Sequence, residues 1–121
     1  MGLCLVVDDS SVIRKIARRL LEAQGWTVVE AENGLEALER CKPKMPDAVF
    51  LDWVLPTMGA AEFLSALRMK AGGTKPRVIY VITENDPVDI AKMLAAGADD
   101  YMFKPFDATA LAEKFSIHAL A

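Results

Sequence analysis

Histidine is almost missing from this chain, with His118 the only one. A metal centre of several imidazoles is therefore excluded. His118, alone near the end of the last predicted helix, is given no catalytic role. Cysteine is scarce as well. Cys4 and Cys41 form neither a CxxC pair nor a metal-ligand spacing, and are expected to be reduced thiols. No apolar run approaches the roughly 18 residues of a membrane span. The first run, Leu3–Val7, is stopped by Asp8 and is too short for a signal peptide. Basic residues are not in excess: 14 Lys and Arg face 17 Asp and Glu, a net charge of −3. That removes the electrostatic case for nucleic acid, which wants a basic patch. No glycine-rich phosphate loop follows the first apolar run, which disfavours a nucleotide-binding module. The expectation is a cytoplasmic monomer that engages neither membrane nor nucleic acid.

What is present is an alternation. At 121 residues, 53% hydrophobic and 26% charged, the chain suits one globular domain with a core of its own, read as 1–121 without an output domain. Short apolar runs alternate with amphipathic segments. Leu3–Val7 reads as a strand. Ser11 to about Gln24 reads as a helix, with Ile13, Ile16, Ala17, Leu20 and Leu21 at helical spacing and Arg14, Lys15, Arg18 and Arg19 on a solvated face. Asp9 or Ser10 is placed to cap it, and Gly25 to end it. Thr27–Ala31 is β-branched and strand-like. Asn33 with Glu36 resembles a capping box opening a helix to about Lys42, where Pro43 and Pro46 stop it.

Ala48–Leu51 is a third strand. A loop with Pro56 and Gly59 leads to a helix from Ala60 to about Lys70, ended by Gly72–Gly73. Val78–Ile82 is a continuous apolar run, as in a parallel sheet buried on both faces. Pro87 suits the first turn of a helix ending near Gly97. Tyr101–Phe103 is a short last strand, and Asp107 is placed to cap a helix to about His118. Strand–helix alternation predicts an α/β doubly wound, five-stranded parallel sheet of order 2-1-3-4-5 with five helices. Ligands of such sheets bind at the carboxyl ends of the strands, at the switch point between strands one and three.

Polar residues fall at those ends. Asp8 and Asp9 follow strand one, Asp52 strand three, Thr83 strand four and Lys104 strand five. Each alone is unremarkable, since an Asp after a strand is usually a turn or cap residue. Together they converge on one edge. Two unit charges about 5 Å apart repel by roughly 3 kcal/mol at an effective dielectric near 20, so three carboxylates need compensation. A hard divalent cation with oxygen ligands supplies it, and Lys104 adds a second positive charge. A carboxylate among such groups is suited to in-line attack on phosphorus.

The run Val6-Val7-Asp8-Asp9-Ser10, the step Leu51-Asp52-Trp53, Pro56, Thr83, and Tyr101-Met102-Phe103-Lys104-Pro105-Phe106 together resemble the receiver domain of CheY-like response regulators. The resemblance covers the whole chain. It implies that Asp52 is the phosphoacceptor and that Asp8, Asp9, Asp52 and the backbone carbonyl of Val54 hold Mg²⁺. It implies that Lys104 contacts the phosphoryl group across a cis Lys104–Pro105 peptide, that Thr83 is the switch hydroxyl, and that Tyr101 turns inward on activation. The implied partners are a sensor histidine kinase or histidine phosphotransfer protein, and a downstream protein target, of which the flagellar motor switch is one candidate. The resemblance also implies that the basic face of the first helix, otherwise read as a solvated face, lies near the site and can meet such a donor.

Two segments depart from the family pattern. Where the family often reads Met-Pro-x-Met-Asp-Gly, this chain reads Leu55-Pro56-Thr57-Met58-Gly59-Ala60, and Glu84 replaces the small residue after the switch threonine. The reading is a phosphorylation-activated switch in chemotaxis or motility control that acts catalytically only on its own aspartate. A phosphate sink or relay intermediate is the alternative. An aspartyl-phosphate hydrolase on the same fold would want a general acid two residues after the nucleophile, where Val54 stands.

Overall fold

The computed structural model describes residues 2–116. Apolar, β-branched runs form five strands: β1 (Leu3–Val7), β2 (Thr27–Ala31), β3 (Ala48–Asp52), β4 (Arg77–Ile82) and β5 (Asp100–Phe103). The helices between and after them are α1 (Ser11–Ala23), α2 (Gly34–Cys41), α3 (Ala60–Met69), α4 (Pro87–Ala96) and α5 (Ala108–Phe115). All strand pairs are parallel, in the order β2-β1-β3-β4-β5. The predicted sheet is therefore present, with element ends within a residue or two of expectation. The exception is α5, which ends at Phe115; His118 lies outside the described residues.

Alternation along the strands divides the core in two. Leu5, Val7, Val49, Leu51, Val78, Tyr80 and Ile82 face α2, α3 and α4. Cys4, Val6, Phe50, Ile79, Val81 and Met102 face α1 and α5. All of β3 is buried, as expected of a strand covered on both sides. Both cysteines are free and buried. The Trp26 indole packs in the α1/α5 layer and donates to the Phe115 carbonyl at 3.1 Å. Among the described residues no helix is long and apolar enough to cross a membrane.

Caps fix where the helices start. Ser10, not Asp9, caps α1, accepting from the Ile13 N–H. Asn33 accepts from Glu36, Asp86 from Val88 and Asp89, and Asp107 from Ala110. Gly59 precedes α3 and, having no side chain, supplies no side-chain cap. The unusual backbone in this loop is not at its glycine: Thr57 has φ 67°, a region β-branched residues rarely adopt. The loop is nonetheless tightly seated. A Cβ on Gly34 would lie 2.5 Å from the Met58 carbonyl, so only glycine lets α2 approach it.

Two expectations for α1 are corrected. Ile16 is 45% exposed and lies beside exposed Val12, while Ala17 and Leu21 carry the core contact. The helix touches the sheet with a narrower stripe than the sequence pattern counted. Arg14 is also not part of a solvated face: its side chain is 16% exposed and pairs with Glu30 of β2, whereas Arg18 reaches the same Glu30 while staying 40% exposed.

Candidate functional site

At the carboxyl edge of the sheet the strand ends are laced together. The Trp53 N–H donates to the Val81 carbonyl at 3.1 Å, and the Lys104 N–H to the Ile82 carbonyl at 2.7 Å. The Lys104 side chain is thereby aimed across the sheet. Its ammonium donates to Asp8 Oδ2 at 2.7 Å and to Asp52 Oδ1 at 2.8 Å. The Lys104–Pro105 peptide is cis. Phe106 packs edge-on against Phe50 of β3, with ring centroids 5.5 Å apart, and anchors the loop that follows.

Asp8 and Asp52 are buried, at 1% and 4% exposure, whereas Asp9 is exposed. One carboxylate oxygen from each of the three lies within 4.8 Å of the others. Burial pushes the Asp52 carboxyl above the usual carboxylate range; the Lys104 hydrogen bond opposes this and the nearby Asp8 charge adds to it. For Lys104, burial acts to lower the pKa, but the bonds to Asp52 and Asp8 outweigh it and hold the ammonium above its ordinary value. The donor set is all oxygen, partly buried and open on the Asp9 side, which fits a hard cation that keeps some of its own water, as Mg²⁺ does.

The other predicted residues are placed less tightly. Val54, two residues after Asp52, is 57% exposed. Thr83 and Glu84 follow β4 and are exposed. Tyr101 of β5 is half-buried, with the Phe103 ring 5.7 Å away and the Lys114 ammonium 5.6 Å from its centroid.

Two residues escaped the sequence reading. Tyr80, counted there as one apolar residue of a strand, is buried and donates its hydroxyl to Asp89 Oδ2 in the first turn of α4 at 2.8 Å. Burial foremost, then the bond to Asp89, pushes its pKa up. The signal was available, since a buried tyrosine hydroxyl wants a partner. Arg14 donates to the backbone carbonyl of Asp8 at 2.7 Å. Nothing in its helical spacing announces that bond.

Comparison with known proteins identifies the family. The model of the response regulator receiver domain matches residues 4–116. Chemotaxis protein CheY1 of Helicobacter pylori is 33% identical over 115 residues, covering 93% of each chain. Response regulator MprA of Mycobacterium ulcerans is 43% identical over 103 residues, which span 84% of this chain and 43% of that protein. The solved structure of chemotaxis response regulator CheY4 of Vibrio cholerae superposes with a TM-score of 0.90 at 29% identity, covering 100% of this chain and 99% of that one. Receiver domains are signalling switches of two-component systems with an acidic, Mg²⁺-binding pocket, and on the strength of a family match across nearly its whole length this chain belongs to the response regulator receiver domains, of the CheY-like kind.

Proposed function

We propose that residues 1–121 act as one phosphorylation-activated switch, in which Asp52 takes a phosphoryl group from a phosphohistidine on a sensor histidine kinase or histidine phosphotransfer protein. The observation that carries this reading is Lys104 bridging the buried Asp8 and Asp52, with the exposed Asp9 carboxylate beside them. Asp52 attacks phosphorus, the O–P bond forms as the P–N bond of the donor breaks, and the imidazole leaves with the electron pair. Lys104 turns part of its hydrogen bonding from Asp52 to a phosphoryl oxygen, and the Thr83 hydroxyl donates to another. Asp8, Asp9, Asp52 and the Val54 carbonyl are the groups that would hold Mg²⁺. Bound there, the ion neutralises charge on the phosphoryl oxygens. The chain turns over nothing but its own aspartyl phosphate.

The donor has a fitting surface. Val12, Ile16 and Leu20 on α1, flanked by Lys15 and Arg19, line a shallow cavity of about 230 Å³. An apolar stripe between basic residues suits a partner helix with acidic flanks. Output leaves by the face of α4, β5 and α5, where Val88 and Phe103 are exposed. Similarity to CheY1 and CheY4 supports a chemotaxis or motility target such as the flagellar motor switch, reached in the cytoplasm by a monomer. The test is labelling by a small-molecule acyl phosphate. Wild type should label only with Mg²⁺ present, and Asp52→Asn not at all. Labelling that persists in Asp52→Asn would place the nucleophile elsewhere. Target affinity unchanged by phosphorylation would make the domain a phosphate sink instead.

A further inference from the structure

We infer that Arg14 is a positioning residue for the metal site: its guanidinium fixes the peptide between Asp8 and Asp9, so that both carboxylates face Asp52. This rests on reading those acids as the Mg²⁺ holders. Three of the four polar groups of Asp8 are bound by the fold's own strands and loops. Its N–H donates to the Ala31 carbonyl at 3.1 Å, its Oδ1 accepts from the Ser10 N–H at 2.9 Å, and its Oδ2 accepts from Lys104 at 2.7 Å. The fourth, the backbone carbonyl, accepts from Arg14 Nη1 at 2.7 Å. That carbonyl belongs to the peptide plane that leads into Asp9, so the bond governs the direction in which Asp9 departs.

The guanidinium is itself held. Arg14 Nε donates to Glu30 Oε1 at 3.0 Å, and the other Glu30 oxygen accepts from Arg18. Arg18 Nη2 donates onward to the Val28 carbonyl at 2.9 Å, and Arg40 Nε to the Glu30 carbonyl at 3.1 Å. Glu30 of the edge strand β2 is thus a fixed post, and Arg14 is a strut from that post to the acidic pair. The fork of a guanidinium meets both acceptors at once, which an ammonium cannot do with the same geometry.

Charge and position make opposite demands here. Deleting Arg14 removes a cation near the site and leaves Glu30 less neutralised, which by Coulomb attraction alone would tighten Mg²⁺ binding. Losing the strut frees the Asp8–Asp9 peptide, which would weaken it. Groups that orient metal ligands typically change affinity by 10- to 100-fold when removed, so position is expected to win.

The experiment titrates the full chain with magnesium chloride and follows fluorescence of Trp53, which adjoins Asp52; urea unfolding in chelator confirms that each variant is folded. Arg14→Ala should bind Mg²⁺ about tenfold more weakly than wild type. Arg14→Lys should fall between the two. Arg18→Ala also removes a cation from Glu30 but leaves the Asp8 carbonyl bond intact, and should stay within about twofold of wild type. Unchanged or tighter binding in Arg14→Ala, full affinity in Arg14→Lys, or an equal loss in Arg18→Ala would each overturn the positioning role. A wild type with no saturable response would instead remove the metal-site reading, and the role of Arg14 with it.

Discussion

Lys104 Nζ sits 2.8 Å from Asp52 Oδ1, and the same ammonium is 2.7 Å from Asp8 Oδ2, so one cation serves two buried carboxylates, one just past β1 and one at the end of β3. Removing it leaves two acids facing each other with no countercharge. Breaking a buried ion pair from one side typically costs about 3–5 kcal/mol. Lys104 is partly solvated, so Lys104→Ala should destabilise by about 3 kcal/mol in chelator. Saturating Mg²⁺ binds only the folded acids and should restore much of that loss. Urea midpoints with and without Mg²⁺ measure both. A loss that Mg²⁺ leaves untouched would mean that Lys104 stabilises by packing rather than by charge.

Asp52 makes stability depend on pH in a direction opposite to that of most salt-bridged carboxylates. Burial raises its folded pKa above the ordinary 3.8, so the folded chain holds this proton more tightly than the unfolded one. The associated stabilisation is present in full below the unfolded pKa and is lost as pH rises through the folded value. At neutral pH the ionised Asp52 therefore costs stability, and Asp52→Asn should be more stable than wild type. That advantage should shrink as pH falls toward 4. Denaturant midpoints of both proteins at pH 7 and pH 4 test it, and an advantage that grows toward acid would refute it.

The convergence of Asp8, Asp52 and Lys104 was legible in the sequence because parallel strands put their carboxyl ends on one edge whatever the side-chain details. Asp9 against Ser10 as the α1 cap was not legible. Both residue types cap well, and the choice depends on Asp8 engaging the Ser10 N–H and on local backbone angles. The strut from Arg14 of α1 joins Glu30 of β2 to the backbone carbonyl of Asp8, just past β1, and backbone acceptors leave no mark in composition or spacing. The positive φ in the Pro56–Gly59 loop falls on Thr57 and not on its glycine, a conformation that a β-branched residue does not announce in sequence.

Val54, two residues after Asp52, carries an apolar side chain that is 57% exposed. A water attacking the acyl phosphate from that side finds nothing there to orient it. Val54→Asn supplies a donor and an acceptor, and should shorten the aspartyl phosphate half-life by about tenfold, a barrier change near 1.4 kcal/mol. The check is loss of label after excess acyl phosphate is removed. Equal half-lives would assign control of hydrolysis to another residue, with Asn85 the nearest candidate in sequence to Thr83.

Tyr80 and Asp89 tie the first turn of α4 to β4. A hydrogen bond to a charged partner contributes about 1.5–3 kcal/mol, and water at the partly exposed Asp89 offsets part of its loss. Tyr80→Phe should therefore cost about 1 kcal/mol in global stability. Its local effect should be larger. Amide exchange in the first turn of α4, around Ile90, should accelerate more than exchange in β1 or β3. Uniform acceleration would mean that the bond contributes only to global stability.

Phosphorylation is expected to reach the α4–β5–α5 face through Thr83 and Tyr101. Phosphate on Asp52 should draw the exposed Thr83 hydroxyl inward, since charge-assisted hydrogen bonds are roughly twice as strong as neutral ones. Tyr101 then has room to swing in from its half-buried position. The structure sets the terms of that movement. Tyr101 must leave the Lys114 ammonium 5.6 Å above its ring, a contact of about 0.5–1 kcal/mol at an exposed site. It must also settle beside Tyr80, its register partner on the same face of the sheet, which is pinned by Asp89. A target reports phosphorylation only through differential affinity for the two arrangements, and a tenfold ratio needs about 1.4 kcal/mol. Thr83→Ala removes the pull, and Tyr101→Ala removes the moving part. Each should reduce the affinity ratio measured with and without beryllofluoride, while Asp52 still accepts phosphate. Releasing Tyr80 from Asp89 in Tyr80→Phe should instead raise affinity in the unphosphorylated state, because α4 is freer to adopt the bound arrangement. If the Thr83 and Tyr101 variants both keep the full ratio, the signal leaves by another route.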